Sequence, residues 1–159
     1  TGATQLEQVD LAELIEAATF SFSAKAIRKG IDLRIHALPD CRLLIDRLQI
    51  EVVLRNLLSN AFDAVGERPL HKRRIDVAAR MRDHAHIVIR VEDSGPGVSA
   101  DIAPRLFEAF QSTKTSGLGL GLPISRAIVE AHGGDLRADV ADHGIFELTL
   151  PLENRDACD

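Results

Sequence analysis

The chain has 159 residues, a formal net charge of −5 and an apolar share of 45%, so it can bury a core without a metal or a disulfide. The negative charge argues against nucleic acid as the main partner, because that role needs a basic field. These 159 residues show no signal-peptide pattern and no apolar run near the roughly 18 residues of a membrane span. The two cysteines, Cys41 and Cys158, are far apart, with no CxxC spacing and no disulfide framework, so we expect a cytoplasmic location, with an inner-membrane anchor in a parent protein left open.

The first half of the chain predicts two long helices separated by short strands. Asp10 suits the N-cap of the first helix, and Gly30 ends that helix. Apolar residues then alternate with polar ones, as in a half-buried strand. The predicted ranges, in order, are helix 11–28, strand 31–35, strand 42–45 and helix 47–65.

The second half predicts a hairpin, one helix and two closing strands. A left-handed cap at Gly133-Gly134 ends the helix. Strands outnumber helices and most are joined by short turns, so helices with one apolar face must pack on one side of a sheet. We predict an α+β fold, a two-layer sandwich whose mixed, mostly antiparallel sheet has helices on one face. The ranges are strands 74–81 and 86–92, irregular segment 93–121, helix 122–132, and strands 136–140 and 145–150.

Four polar residues of helix 47–65 fall within a narrow arc that borders its apolar face: Gln49, Asn56, Asn60 and Asp63. Asparagine is a poor helix former, so two of them in mid-helix need a reason. An amide oxygen is a hard, neutral ligand, which suits a Mg²⁺ ion whose charge is already balanced by phosphates. A plain polar helix face is the alternative interpretation.

Segment 93–97, DSGPG, follows a predicted strand and is also a good turn sequence. In a functional interpretation, the carboxylate of Asp93 accepts a hydrogen bond from the exocyclic amine of adenine. Gly95 and Gly97 would let the backbone approach a flat base. Guanine has an oxygen acceptor at that position, so the carboxylate would repel it.

Two further signals lie in the irregular segment. Phe107 and Phe110 are three residues apart on a short helical stretch, a spacing that core packing explains equally well. Alternating glycines over 117–121, GLGLG, precede a helix and expose successive N–H groups to an anion. Lys114, just upstream, adds a positive charge. The pattern fits neither a P-loop nor a Rossmann motif.

Taken in order, these segments resemble the N, first glycine, F and second glycine boxes of the catalytic domain of sensor histidine protein kinases. The resemblance is greatest to kinases of the nitrogen-regulation and oxygen-sensing type. It implies the Bergerat ATP-binding fold, in which ATP lies between helices and a mobile lid. The segments are NLLSNAFDA (56–64), DSGPG (93–97), FEAF (107–110) and GLGLG (117–121).

The resemblance also implies roles for individual residues. Asn60 is similar to the family's Mg²⁺-ligating asparagine, Asn56 lines the same phosphate region, and Asp93 resembles the adenine-reading aspartate. The implied lid runs from about 98 to 116, and Ala109 departs from the proline of many members. The nucleotide-binding residues implied are Asn56, Asn60, Asp93, Gly95, Gly97, Phe107, Phe110, Lys114, Gly117, Leu118, Gly119, Leu120 and Gly121.

The implied activity is transfer of the γ-phosphate of Mg–ATP to a histidine on a separate helical domain. None of the six histidines lies on a helix before an acidic residue and a downstream proline, so we expect no catalytic residue here. His132 is interpreted as a helix-end residue. We assign 10–152 to the ATP-binding domain, 1–9 to a linker from a missing dimerisation domain, and 153–159 to a polar tail. The parent is expected to be a homodimer that reaches a response regulator indirectly, and the isolated domain a monomer.

Related ATPases carry a glutamate one helical turn before the magnesium asparagine, where it activates water. That position here is Asn56, and an amide cannot take a proton from water. Transfer to a protein nucleophile is therefore favoured over hydrolysis. Three alternatives stay open: a serine kinase of the same GHKL superfamily, a water-splitting ATPase, and a nucleotide-binding regulatory module without transfer activity.

Overall fold

The computed structural model describes residues 4–108 and 121–152. Short 3₁₀ turns at Leu70–Lys72 and Ala103–Arg105 accompany the regular elements. The helices and strands are β1 (Glu7–Asp10), α1 (Leu11–Lys29), β2 (Asp32–Ile35), β3 (Arg42–Ile45), α2 (Arg47–Val65), β4 (Arg74–Asp83), β5 (His86–Asp93), α3 (Gly121–Ala131), β6 (Asp135–Ala138) and β7 (Gly144–Pro151).

A five-stranded sheet forms one layer, in the order β2-β4-β5-β7-β6. Strand β2 pairs with β4 in parallel, and the other neighbours are antiparallel. One face of the sheet is apolar and lies under the helices, of which α2 contacts β4, β5 and β7. The opposite face carries charged side chains that alternate with the buried ones. The predicted α+β sandwich is confirmed.

Local capping interactions explain where the two long helices begin and end. Asp10 accepts a hydrogen bond from the N–H of Glu13 at 3.3 Å, as an N-cap does. Asp46 does the same for Gln49 at the start of α2. Gly30, at φ 64°, ends α1 with its N–H directed to the last-turn carbonyls. These caps lie at the predicted boundaries.

A second, two-stranded sheet was not predicted. Strand β1 pairs with β3 in antiparallel register, with Glu7 opposite Ile45 and Asp10 opposite Arg42. Residues 7–9, which the sequence analysis assigned to a linker, therefore belong to the folded domain. Only Val9 of this short strand is buried, so the sequence carries no alternation from which β1 could be recognised.

The core is mainly aliphatic, with a contact between two phenylalanines, Phe22 on α1 and Phe62 on α2. The rings of Phe22 and Phe62 lie 5.1 Å apart between centroids. The apolar face of α2 is inaccessible to solvent, with Val53, Leu57 and Ala61 at most 1% exposed. This packing fixes the rotation of α2 and so decides which of its side chains border the core. Within residues 4–108 and 121–152, no helix is long and apolar enough to cross a membrane.

Candidate nucleotide site

The polar edge of α2 forms the centre of the candidate site. Asn56 and Asn60 are both half-buried, between the buried apolar face and the exposed face of the helix. This is the border position that the helical projection predicted. A ligand lying against the core at this edge can reach both amides.

Asn56 links α2 to the first turn of α3. Its amide nitrogen donates hydrogen bonds to Oγ of Ser125 at 2.9 Å and to the carbonyl oxygen of Gly121 at 3.4 Å. Ser125 is completely buried. Sequence reasoning missed Ser125, whose only signal is a hydroxyl on the buried face of a short apolar helix. Asn56 therefore fixes the start of the helix that follows the glycine-rich segment.

Asp93 lies at the end of β5 and is only 5% exposed. The N–H of Gly95 donates to its Oδ1 at 2.8 Å, and the N–H of Gly144 also donates to its carboxylate. Burial raises the pKa of Asp93, and these two N–H groups and nearby His143 oppose that rise. The protein thus holds a desolvated carboxylate in place with backbone donors.

Gly95 brings the DSGPG segment against α2. A Cβ atom at this position would lie 2.8 Å from the Cβ of Ala64 and 2.9 Å from its carbonyl oxygen. Ala64 lies two helical turns beyond Asn56, with Asn60 midway between them. At a rise of 1.5 Å per residue, the positions of Asn56 and Ala64 are roughly 12 Å apart along α2. The helix therefore connects the start of α3 to the neighbourhood of Asp93.

Gly97 has a positive φ of 77°, which an L side chain rarely adopts. A Cβ there would also lie 2.7 Å from the backbone nitrogen and oxygen of His143. Both glycines of the motif are thus required by contacts within the protein, Gly95 with α2 and Gly97 with the turn before β7. Whether they also lie beside a base stays a prediction.

Ser94 ties the same segment to the start of β4. Its hydroxyl donates to the carbonyl of Lys72 at 2.5 Å and accepts from the N–H of Arg74 at 2.9 Å. The backbone N–H of Ser94 donates to the carbonyl of Arg74 at 3.0 Å. These bonds give the second residue of DSGPG a positioning role that sequence reasoning did not assign.

Phe107 packs partly buried against the core, and the guanidinium of Arg126 lies 4.8 Å from the centre of its ring. A cation over an aromatic face is attracted by the ring quadrupole. Arg126, on α3, also pairs with Glu130 at 3.0 Å. Phe107 thus packs on the core, the alternative that its spacing allowed, and it also makes a contact to α3 that the sequence did not reveal.

The part of the predicted site that would contact phosphate lies mostly outside the described residues. Of the glycine-rich segment 117–121, only Gly121 is described, as the first residue of α3. The predicted lid, 98–116, is described over 98–108, where Val98 pairs with Ala141. The predicted residues outside the described ranges are Phe110, Lys114, Gly117, Leu118, Gly119 and Leu120.

His132 is a helix-end residue, as predicted. Its Nδ1 lies 2.8 Å from the carbonyl of Ile128, and its Nε2 accepts the backbone N–H of Asp46 at 3.1 Å. The ring therefore joins the end of α3 to the start of α2. Both nitrogens are occupied by the backbone, so His132 is not placed to accept a phosphoryl group.

A separate cleft of about 670 Å³ opens on the charged face of the sheet, away from the helices. It shares only Asp93 with the predicted site residues. Its walls combine basic and acidic side chains of β4, β5 and the turn before β7. The lining residues that matter below are Arg74, Asp76, Arg90, Glu92, Asp142 and His143.

A family model described as "Histidine kinase-, DNA gyrase B-, and HSP90-like ATPase" matches residues 45–154, which is more than half of the chain. The chain belongs to this family. As a member of this ATPase family, it is an ATP-binding domain.

Two relatives of the chain are sensor proteins. Sensor protein FixL of Bradyrhizobium diazoefficiens is 37% identical over 158 residues, covering 98% of the chain and 31% of FixL. C4-dicarboxylate transport sensor protein DctS of Rhodobacter capsulatus is 37% identical over 159 residues, covering 96% of the chain and 24% of DctS. The chain thus spans less than a third of the length of these curated relatives.

Solved structures of histidine kinases share the fold. The catalytic domain of histidine kinase ThkA superposes with a TM-score of 0.82 at 31% identity, covering 92% of the chain and 95% of that domain. Full-length ShkA in complex with AMPPNP gives a TM-score of 0.81 at 27% identity, covering 94% of the chain and 32% of ShkA. The chain therefore has the fold of a histidine kinase catalytic domain, and the predicted family is confirmed.

Proposed function

We propose that this chain positions Mg–ATP for transfer of the γ-phosphate to a histidine on a separate helical domain of the same sensor kinase. The observation that carries the proposal is the arrangement along α2. Asn56 bonds to the start of α3, and Ala64 packs on Gly95 beside Asp93. The roughly 12 Å between those positions is comparable with the distance from the base to the phosphates of an extended nucleotide.

In this proposal the base binds beside Asp93. The carboxylate accepts a hydrogen bond from the exocyclic amine of adenine, in a setting where it is only 5% exposed. A charged acceptor strengthens that bond. The carbonyl oxygen of guanine would face the same carboxylate without a proton between them, which disfavours GTP.

The amide oxygen of Asn60 would hold Mg²⁺ at the phosphate end. Within the described ranges, no group of three or more His, Cys, Asp or Glu side chains could hold a metal ion. A neutral amide on a half-buried helix edge suits an ion whose charge is balanced mainly by nucleotide phosphates. When bound, Mg²⁺ supplies charge neutralisation to the phosphoryl group in transfer. The N-terminal N–H groups of α3, and by prediction those of 117–121 with Lys114, would face the same phosphates.

Transfer to a protein nucleophile is favoured over hydrolysis by the chemistry of Asn56. Its amide nitrogen already donates to Ser125 and Gly121, and an amide does not act as a general base.

The proposed acceptor domain would also dimerise the parent. One homologous structure, histidine kinase ThkA, has been solved in complex with the response regulator protein TrrA. We propose a response regulator as the downstream partner of the parent here, on the cytoplasmic side.

The lone chain is expected to bind Mg–ATP without labelling itself and without fast phosphate release. Incubation with γ-labelled ATP should leave no acid-labile label on the protein. Asn56→Glu should raise free phosphate release severalfold, since a positioned base is worth about 10²–10⁴-fold in favourable cases. Asn56→Gln, which keeps the amide, is the matched control. Rapid hydrolysis by the unaltered chain, or acid-labile label on one of its own histidines, would contradict the proposal.

A further inference from the structure

The turn between β6 and β7, residues 139–143, encloses the Asp93 carboxylate together with Gly144. Gly144 lies directly opposite Asp93 in the β5–β7 ladder. A Cβ on Gly144 would lie 2.5 Å from Cγ and Oδ1 of Asp93 and would overlap Oδ2. The N–H of Gly144 donates to the same carboxylate. Asp93 therefore rests on a position that only glycine can fill.

The same turn also contacts the far end of the DSGPG segment. The N–H of Ala141 donates to the carbonyl of Val98 at 3.3 Å, and these two residues form an isolated bridge. Gly97 lies against the backbone of His143, so closely that a Cβ would meet its nitrogen and oxygen at 2.7 Å. A shift of the turn must therefore move the backbone that follows Asp93 as well as the carboxylate itself.

His143 connects this turn to the sheet. Its Nε2 lies 2.5 Å from Oε2 of Glu92, and its Nδ1 lies 2.8 Å from Oδ1 of Asp142. Both ring nitrogens face carboxylates, so both can donate only when the imidazole is protonated. The Asp142 side chain is 97% exposed, so its contact adds little rigidity. The contact with Glu92, which is fixed on β5 beside Asp93, is the one that holds the turn.

We propose that His143 is a positioning residue for the Asp93 carboxylate. His143 holds the turn 139–143 against Glu92. The turn then positions the Asp93 carboxylate, which lies against Gly144, and the segment after Asp93, which contacts the turn at Gly97. This inference rests on the proposed function, in which Asp93 reads adenine. It adds a residue outside the four motifs that controls how well the base is bound.

The contacts of the His143 ring with Glu92 and Asp142, called the clamp below, depend on protonation of the ring. Hydrogen bonds to Asp142 and Glu92 raise the pKa of His143 above its ordinary value. A raised pKa means that the protonated clamp is complete below the ordinary histidine range and is lost as pH rises through the raised value. Adenine affinity should fall over the same interval. The charged groups facing His143 are Glu92, Asp93 and Asp142, with His36, Arg68, Arg74, Asp76 and Arg90 across the cleft.

Calorimetric titration of the full chain with Mg–ADP between about pH 6 and pH 9 tests the proposal. For the unaltered chain, the affinity should fall about three- to tenfold more over this range than for His143→Gln. Protonation of the ADP phosphates affects both proteins alike and cancels in the comparison. Glu92→Gln removes the partner on β5 and should move the midpoint of the fall to lower pH. An NMR titration of the His143 ring should give the same midpoint as the binding data.

Gly144→Ala provides a second variant that does not depend on pH. It should lose at least about tenfold in Mg–ADP affinity, whereas Gly66→Ala, at an exposed helix end with φ −58°, should keep normal affinity. Identical pH profiles in the unaltered chain and His143→Gln would overturn the role of His143 while leaving ATP binding intact. Normal binding by Gly144→Ala would overturn the role of the turn. Failure of the unaltered chain to bind Mg–ADP would overturn the proposed function and this inference together.

Discussion

Asp93→Ala is expected to weaken binding of Mg–ADP and Mg–ATP about 10- to 150-fold, the equivalent of roughly 1.5–3 kcal/mol. The carboxylate is buried, and backbone N–H groups of Gly95 and Gly144 hold it in one orientation. The variant loses a charge-assisted hydrogen bond to the base. Calorimetry measures the change directly.

Asp32→Ala is the matched control for this variant. Asp32 lies on the edge strand β2, is about half exposed and pairs with Arg34, so its loss should leave nucleotide affinity unchanged. Melting curves of both variants separate a loss of binding from a loss of folding. Equal affinity of the unaltered chain for GTP and ATP would contradict the assignment of Asp93 to adenine.

Asn60→Ala is expected to lower Mg²⁺-dependent phosphotransfer about 10- to 100-fold, a loss typical of disturbing a metal site. Binding of metal-free ADP should change much less, because the base and the helix packing are untouched. Comparison of ADP titrations with and without Mg²⁺ isolates the metal contribution. Ser59→Ala, the adjacent position on α2, is the control. If Asn60→Ala keeps the full Mg²⁺ enhancement of the unaltered chain, the metal role of Asn60 is wrong.

The long helices and the layered fold could be predicted because their signals are local. The first helix is bounded by its own caps, Asp10 and Gly30. The second helix can be recognised from the 3.6-residue spacing of apolar residues within 47–65. Strand β1 could not be predicted in the same way. It exists because it pairs with β3 at residues 42–45, and its own four residues carry too little apolar pattern.

In the candidate site, too, local features could be predicted and contacts between distant residues could not. The motif residues were recognisable because they occur in a fixed order. The structure places Asn56 and Asn60 on one edge of α2, and Gly95, which follows Asp93, against Ala64 of the same helix. Their supports could not be found, because each is a contact between residues distant in sequence. Ser125 on α3 accepts a hydrogen bond from Asn56 on α2. Gly144 on β7 lies opposite Asp93 on β5. No spacing rule connects such pairs.

Phosphotransfer in trans tests the central claim most directly. The chain, Mg²⁺ and γ-labelled ATP would be mixed with the separately prepared helical acceptor domain of the parent kinase. We expect acid-labile label on a histidine of that domain, dependent on the chain and on Mg²⁺, and greatly reduced by Asn60→Ala. Label that appears as free phosphate, as acid-stable phosphoserine, or not at all would contradict the claim that this domain transfers phosphate to histidine.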